Sequence, residues 1–354
     1  MGRAARIALL PIVLCAGCND PDSREDAVVL QRWLESAGDP VLGATLPCYE
    51  PVDTLLSPEI AGYEYYFIEG FAIDNDRVYI SDGRMNTLLA FSHDGVMEWK
   101  TGGTGEGPGL FSNIGQLAVG GDTVAVCNMA CGRVDLFSAT DGHWLSSIPV
   151  YRPFDVEFLP NGNLVVASLL QEDLITIFTP GSEKVLSFGS WDPPGNEVLN
   201  NLFAASNRNI QIDLIADSVL AVNSYYFNWN QLYDLHNPET PRSFRRDLPF
   251  PEEPVQVGGD GMFRGKIYVN DISAYNDLIY VLLRPISTGW DLPDRFATRP
   301  EEDLDFSMID VFNIDGQYIG SFAFRRCVGR LQWHNGNLYG ATDETGELIR
   351  FAPF

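Results

Sequence analysis

The sequence predicts an all-β chain that folds as one six-bladed β-propeller of four-stranded antiparallel blades. Three observations predict it: short β-rich runs separated by Asp-Gly and glycine-rich turns, a segment that recurs along the chain, and a spare strand before the first repeat. The clearest module, residues 71–111, has four such runs at the spacing of consecutive hairpins. One such sheet leaves its faces uncovered, so copies arranged around an axis are needed to bury them.

The blade count comes from a repeated unit of two strands and the turn between them. Residues 80–91 recur at equal length as residues 126–137, and a third copy spans residues 167–178. Further strand pairs follow in the degenerate fourth blade (219–223 and 231–235), the fifth (279–283 and 308–312) and the sixth (338–341 and 348–351). The sixth blade ends one strand short, so we expect the spare strand at residues 52–56 to close the ring within a domain spanning residues 47–354.

The pattern of the N-terminal residues indicates an export signal. Arg3 and Arg6 precede a short apolar run, and small residues lie directly before Cys18. The run is far shorter than the roughly 20 residues of a membrane span. Residues 1–17 therefore resemble a bacterial lipoprotein signal peptide, which implies that Cys18 is lipidated and becomes the first mature residue. Secretion without a lipid is the alternative, and the choice between inner and outer membrane stays open.

Residues 18–46 are predicted to be a tether that contains a short helix. Val29, Leu30, Trp33 and Leu34 recur at helical spacing, and Gly38 stops the pattern. The opposite face carries acidic residues where a membrane-binding helix would carry lysines, so we expect the helix to dock on the propeller or stay in the linker.

The charge excludes one class of partner. The formal net charge is -25 at pH 7. Phosphate backbones bind basic patches, so nucleic acid is not expected as a partner. We expect a monomer in which one propeller uses most of the chain.

The repeat itself resembles a known family. It has an aspartate after the second strand and an asparagine, often with an arginine, before the third. An aromatic residue ends the third strand, and an Asp-Gly turn and the segment Gly-Glu-Gly-Pro-Gly-Leu-Phe at residues 105–111 follow. This pattern resembles the NHL-repeat six-bladed propellers, in particular the bacterial secreted and lipoprotein members. The chain departs from this pattern at three positions: Thr87 and Leu174 stand where the repeat has arginine, and Asn128 stands where it has aspartate. The resemblance covers most of the chain from about residue 50 onward and implies the same fold at the bacterial cell envelope, facing the periplasm or exterior.

Four cysteines follow the signal region, an even number in an exported chain. Cys127 and Cys131 flank the second-to-third strand turn of blade 2, while Cys48 precedes the closing strand and Cys327 enters the last blade. Disulfides within these two pairs are expected, with free thiols as the alternative. The Cys-x3-Cys spacing does not match a zinc site, so no metal is expected there.

No catalytic arrangement and no cofactor motif stands out. The histidines (His93, His143, His236 and His334) are scattered over blade turns. The glycine-rich residues 101–109 lack the Gly-Lys-Ser/Thr ending of a phosphate-binding loop and open no helix. We therefore predict that they form a turn.

The candidate ligand surface is the propeller face where loops from every blade converge. Residues 223–230 and 284–306 depart from the repeat as aromatic and polar loops. Rings stack on sugars and amides hydrogen-bond to them, which suits a glycan or a peptide. The alternative is that the aromatic residues pack these loops onto the fold. The candidate binding residues are Tyr225, Tyr226, Trp229, Trp290, Arg84 and Arg133.

Three function classes follow. The first is a lipid-anchored binding or scaffold module with no cofactor. The second is a propeller enzyme, a lyase or lactonase-like hydrolase, with a divalent ion in the central channel. The third is a sensor or an assembly partner of an envelope protein. The propeller fold by itself does not separate them.

Overall fold

The computed structural model confirms an all-β ring of six four-stranded antiparallel blades. It describes residues 48–168, 173–190, 210–224, 227–246, 256–257, 263–264, 269–283, 307–324, 326–342 and 345–351. The predicted signal peptide, Cys18 and the tether lie outside the described residues. Within the described part, no helix has the length and apolar character that a membrane crossing requires.

Each blade is an antiparallel sheet whose strands follow one another from the axis outward. From the first (innermost) to the fourth (outermost), the strands are Ile68–Ile73, Arg77–Asp82, Thr87–Ser92 and Met97–Gly102 in blade 1; Ile114–Gly120, Thr123–Asn128, Arg133–Ser138 and Trp144–Pro149 in blade 2; Pro153–Phe158, Leu164–Ser168, Ile175–Phe178 and Lys184–Phe188 in blade 3; Ile210–Ile215, Val219–Ser224, Phe227–Asp234 and Arg242–Phe244 in blade 4; Val269–Tyr275, Leu278–Leu283, Ser307–Asn313 and Tyr318–Phe324 in blade 5; and Arg330–His334, Asn337–Ala341, Leu348–Phe351 and Pro51–Leu56 in blade 6. The other described elements are the two-residue strand Cys48–Tyr49, a four-residue helix, Pro58–Ala61, and a short hairpin of Gln256–Val257 with Phe263–Arg264.

The ring closes through the N-terminal strand, as the sequence predicts. Pro51–Leu56 pairs antiparallel with Leu348–Phe351 and so supplies the missing fourth strand of blade 6. A second contact was not predicted: Cys48–Tyr49 pairs parallel with the last strand of blade 5. The N-terminal segment thus joins two neighbouring blades and covers the edges that an open ring would expose.

The core lies between the blades. Side chains alternate along each strand, so every blade buries apolar residues on both faces against its neighbours. Between blades 1 and 2, for example, Tyr79, Leu88, Phe111 and Phe137 are wholly buried in one cluster, and the two phenylalanine rings lie 5.6 Å apart. These faces make the ring one cooperative unit.

Blade 4 is more regular than its sequence predicts. Residues 223–230 were predicted to be a loop, but Ser224 pairs with Phe227, and only two residues separate the strands on either side. The alternation of aromatic and polar residues therefore extends a hairpin. Trp229 belongs to its third strand, and nothing is described of its side chain.

The predicted disulfide between Cys127 and Cys131 is not formed in the structure, where both are free thiols. Cys127 pairs in register with Val134 and is wholly buried between blades 2 and 3. Cys131 lies in the following turn, with its Sγ 3.8 Å from the Gly105 carbonyl oxygen. The strand directs the Cys127 side chain into the core and away from the turn. The Cys48–Cys327 bridge stays a prediction because the side chain of Cys48 lies outside the described residues.

Candidate functional site

The antiparallel blades give the ring two different faces. One face, called here the mouth face, carries the turns between second and third strands, such as residues 83–86, and the connections between blades, such as residues 150–152. The other, called the rear face, carries the turns that join first to second and third to fourth strands. The central channel runs between them along the first strands.

Arg84 and Tyr66 form a pair on the mouth face of blade 1. The backbone N–H of Tyr66 donates to Asp82 Oδ2 at 3.1 Å, and Asp82 Oδ1 accepts from the backbone N–H of Arg84 at 2.9 Å. This buried carboxylate places the Arg84 guanidinium over the Tyr66 ring, 5.0 Å from its centre. Tyr66 is 44% exposed, so the pair presents a ring and a cation to solvent.

A second tyrosine–arginine pair lies on the same face where blade 2 connects to blade 3. Tyr151 is 55% exposed, and the Arg152 guanidinium lies 6.0 Å from the centre of its ring. Arg152 adopts a left-handed backbone conformation with φ of 47°. A non-glycine residue seldom adopts this conformation, and such strain is concentrated at functional sites.

Arg133, a predicted ligand-binding residue, directs its guanidinium at groups of the protein itself. Its Nε donates to both oxygens of the buried Asp135 at 2.9 Å. Its other nitrogens donate to the carbonyl oxygens of Glu106, Gly107 and Leu110 at 2.7–3.1 Å. The guanidinium therefore holds the glycine-rich segment against blade 2. As predicted, that segment is a turn that leads into a strand.

Blade 5 has an arginine–aspartate ion pair like that of Arg133 and Asp135 in blade 2. Asp310 occupies the equivalent position in its third strand, and Arg246 Nε donates to Asp310 Oδ2 at 2.7 Å. In both blades a serine of the fourth strand donates to the same carboxylate: Ser147 to Asp135 and Ser321 to Asp310. This repetition supports a structural role for both arginines.

Aspartates of the first strands link successive blades around the channel. Asp155 of blade 3 accepts the backbone N–H of Ile212 in blade 4 at 2.9 Å, and Asp213 of blade 4 accepts that of Ala274 in blade 5 at 2.6 Å. Asp271 of blade 5 likewise accepts from Leu331 in blade 6 at 2.7 Å.

A glutamine continues this ring of bonds. Gln332 of blade 6 accepts the backbone N–H of Ile73 in blade 1 at 3.0 Å. Polar side chains of the first strands thus join the blades from blade 3 round to blade 1, which assigns them a structural role.

Carboxylates of the channel have pKa values above the ordinary values of aspartate and glutamate. Burial raises the pKa of Asp271 to about 7, although the nearby Arg330 opposes the shift. Burial raises the pKa of Asp213 to about 6. Burial also raises the pKa of Glu157 well above its ordinary value, and the neighbouring Asp213 and Asp155 add to that shift. Asp271 is therefore partly protonated near neutral pH.

Two amides near the mouth end of blade 4 have unmet hydrogen-bonding capacity. Gln211 and Asn223 are register partners on the first and second strands, and both are buried. Among the residues that the structure describes, neither the oxygen nor the nitrogen of either side-chain amide has a hydrogen-bond partner. Such groups normally hold water or a ligand.

The structure brings together only part of the predicted site. Arg84 lies on the mouth face as expected, whereas Tyr225, Tyr226 and Trp290 lie outside the described residues. Tyr66 and Tyr151 were missed. An aromatic residue in the connection before a first strand, repeated in two blades, was the signal that could have identified them.

No cluster of three or more metal-ligating side chains capable of holding an ion occurs in the described part of the chain. The channel aspartates Asp155, Asp213 and Asp271 accept hydrogen bonds from the first strands of the next blades. The mouth face presents the exposed rings and guanidinium groups of two tyrosine–arginine pairs.

Solved structures share this architecture. The chain is similar to a member of the DUF4221 family from Bacteroides vulgatus (9% identity, 86% of this chain and 95% of that chain covered, TM-score 0.52). It is also similar to a protein from Bacteroides fragilis named as an exported protein (11% identity, 81% and 90% covered, TM-score 0.51). A virginiamycin B lyase from Staphylococcus aureus aligns with a TM-score of 0.48 at 11% identity, over 85% of this chain and 99% of that chain. Identities this low establish the fold alone.

Neither the protein-family models nor the curated proteins gave a match to this chain.

Proposed function

We propose that this chain is a lipid-anchored binding propeller of the bacterial cell envelope, related to the NHL-repeat propellers, that takes a glycan or a peptide on its mouth face. The observation that carries the proposal is the pair of exposed tyrosine–arginine sites, Arg84 with Tyr66 and Arg152 with Tyr151.

The chemistry of these pairs suits a hydroxyl-rich or carboxylate-bearing ligand. A tyrosine ring stacks on a sugar ring or a peptide side chain, and a guanidinium donates several hydrogen bonds from one plane. Among the described residues, the side chain of Arg84 has no ion-pair partner, so its donors are available to a ligand. The unbonded amides of Gln211 and Asn223 add donors and acceptors near the same end of the channel.

The proposed location rests on the N-terminus. Residues 1–17 have the form of a lipoprotein signal, and Cys18 follows the small residues that such signals require. The similar protein from Bacteroides fragilis is named as exported, which supports the same address. The Cys18→Ser variant should appear as soluble protein in the periplasm or medium. A variant that still fractionates with membranes would contradict lipid anchoring.

A propeller enzyme is the second candidate, favoured by one observation. Glu157 lies in the channel, keeps partial contact with solvent, and has a raised pKa beside Asp213. Both oxygens of Asp213 accept backbone N–H groups, from Ala274 and Leu214, which makes that residue structural. Glu157 is therefore the described channel residue best suited to proton transfer. Binding is preferred because its candidate groups face solvent on the mouth face.

Glycan-array and envelope-peptide binding measurements on the full domain test the proposal. Losing both rings in Tyr66→Ala/Tyr151→Ala should weaken binding by about tenfold or more, since each ring contributes roughly 0.5–1.5 kcal/mol beyond its buried area. Tyr63→Ala is the matched control because it removes a tyrosine ring that contacts a cation, Lys100 of the outermost strand of blade 1, and belongs to neither pair.

The two candidate functions predict different results for the Glu157→Gln variant. It should bind the same ligand as the parent if the mouth face is a binding site. Equal affinity of the double tyrosine variant and the parent would reject the mouth site. Loss of a product-forming reaction in Glu157→Gln alone would favour the enzyme.

A further inference from the structure

The rear face carries a cavity that the mouth-face proposal does not use. Its volume is about 840 Å³, within the range of about 300–1,000 Å³ typical of ligand pockets. It is lined at the rear ends of blades 2, 3 and 4, by the turns near Gly121, Asn161 and Asp217.

Apolar groups form slightly more of the cavity wall than polar groups do. The apolar part includes Leu145, the second residue of the outermost strand of blade 2, which is 43% exposed. Leu136 and Leu164 are buried, so Leu145 is the most exposed leucine of the lining and the one best placed to contact an apolar group of a ligand. The other apolar side chains of the lining are Val119, Leu136, Phe158, Leu159, Leu164 and Leu214.

The rim is acidic. Asp217 lines the cavity, and the exposed Asp122 lies between the lining residues Gly121 and Thr123. None of the described residues that line it is a lysine or an arginine. The formal net charge of -25 adds a field of the same sign over longer distances. The ligand that complements this surface carries positive charge beside apolar groups.

The cavity reaches across three blades, so its lining offers separate apolar contacts to a chain of several side chains. From these observations we propose that the rear-face cavity binds a basic amphipathic peptide segment of a partner protein, with apolar side chains in the cavity and lysine or arginine at the Asp122–Asp217 rim. This site is independent of the mouth face.

A fluorescence-anisotropy titration of the full domain tests the inference with a short peptide of alternating lysine and leucine. Leu145→Ser and Asp217→Asn should each weaken its binding by several-fold, and their combination by about tenfold, equivalent to about 1.4 kcal/mol. Asp217 has φ of 64°, and asparagine tolerates that left-handed conformation, so the turn should survive the substitution.

Matched variants separate this site from the general field of the protein. Val185→Ser removes a similarly exposed apolar side chain from the outer strand of blade 3, and Asp94→Asn removes the same charge from a rear-face turn of blade 1. Neither residue lines the cavity, so both variants should bind the peptide as the parent does. Tyr66→Ala/Tyr151→Ala should also leave this affinity unchanged, which distinguishes the site from the mouth face.

Three results would overturn the inference. One is no binding of the lysine–leucine peptide to the parent domain. Another is equal loss of affinity in Asp94→Asn and Asp217→Asn, which would assign the binding to net charge alone. The third is equally tight binding of a glutamate–leucine peptide, which would show that the acidic rim does not select the charge of the peptide.

Discussion

Arg350, near the C-terminus, forms an ion pair with Asp53, near the start of the described chain, although 297 positions separate them. Arg350 Nε donates to Asp53 Oδ1 at 3.0 Å, and its second nitrogen donates to the other oxygen at 2.5 Å. The bidentate pair lies across the seam where the N-terminal strand completes blade 6. Exposed pairs contribute little by themselves, so the seam depends mainly on strand pairing and on the buried Leu56.

The first prediction concerns this seam. A chain that begins at residue 57 should lose cooperative unfolding, because blade 6 would lack its fourth strand and blade 5 its parallel edge contact. Circular dichroism melts would measure this. A chain that begins at residue 47 is the matched control and should melt like the mature protein. An unchanged melting temperature for the shorter chain would show that closure does not stabilise the ring.

The second prediction separates the two arginines that the sequence places in one binding site. Arg133→Gln should lower the free energy of unfolding by about 3 kcal/mol, because it leaves the buried Asp135 without its cation. Arg84→Gln should change it by no more than about 0.5 kcal/mol, as is usual for a surface position. Urea unfolding measures both. Similar small effects for the two variants would return Arg133 to the candidate ligand-binding residues.

The third prediction follows from the pKa of Asp271, which burial raises from 3.8 to about 7. The folded state holds this proton more tightly than the unfolded state, so the stabilisation is complete below about pH 4 and is lost as pH rises through 7. Asp271→Asn removes the titration while keeping an oxygen for the Leu331 N–H. Above pH 7 the variant should therefore be more stable than the parent, by about 1–4 kcal/mol.

Urea unfolding at a series of pH values measures this difference between parent and Asp271→Asn. Asp76→Asn, a substitution of an exposed carboxylate in a blade 1 turn, should show no comparable pH dependence. A difference for Asp271→Asn that stays constant from pH 4 to pH 8 would contradict the raised pKa.

The fourth prediction concerns the thiols of blade 2. Cys131 is partly exposed, so iodoacetamide should alkylate it in the native protein, whereas the wholly buried Cys127 should react only after unfolding. Burial also raises the pKa of the Cys127 thiol well above its ordinary value, which lowers the reactive thiolate fraction further. Peptide mapping by mass spectrometry locates the label. A Cys127–Cys131 disulfide in the unreduced protein would contradict the structure.

Much of the fold could be predicted from the sequence because its signals are local. Asp-Gly turns need glycine at positive φ, as Gly95 (78°) and Gly142 (71°) show, and they separate strands short enough to recognise by eye. The number of strands in each repeat predicted both the missing strand of blade 6 and the spare N-terminal strand that replaces it. The hairpin of blade 4 was not predicted from the sequence, because the composition of its aromatic and amide residues suggested a loop.

The candidate site depended on tertiary structure. Asp155, Asp213 and Asp271 bind backbone groups 57, 61 and 60 positions away, about one blade further along the chain, so no local pattern reveals their partners. Their raised pKa values follow from burial in the channel, which exists only after the ring closes. The sequence alone determined the repeating strands and turns, because hydrogen-bonded hairpins form between neighbours in the chain. The ring decided which polar side chains hold the blades together and which face a ligand, because those contacts join separate blades.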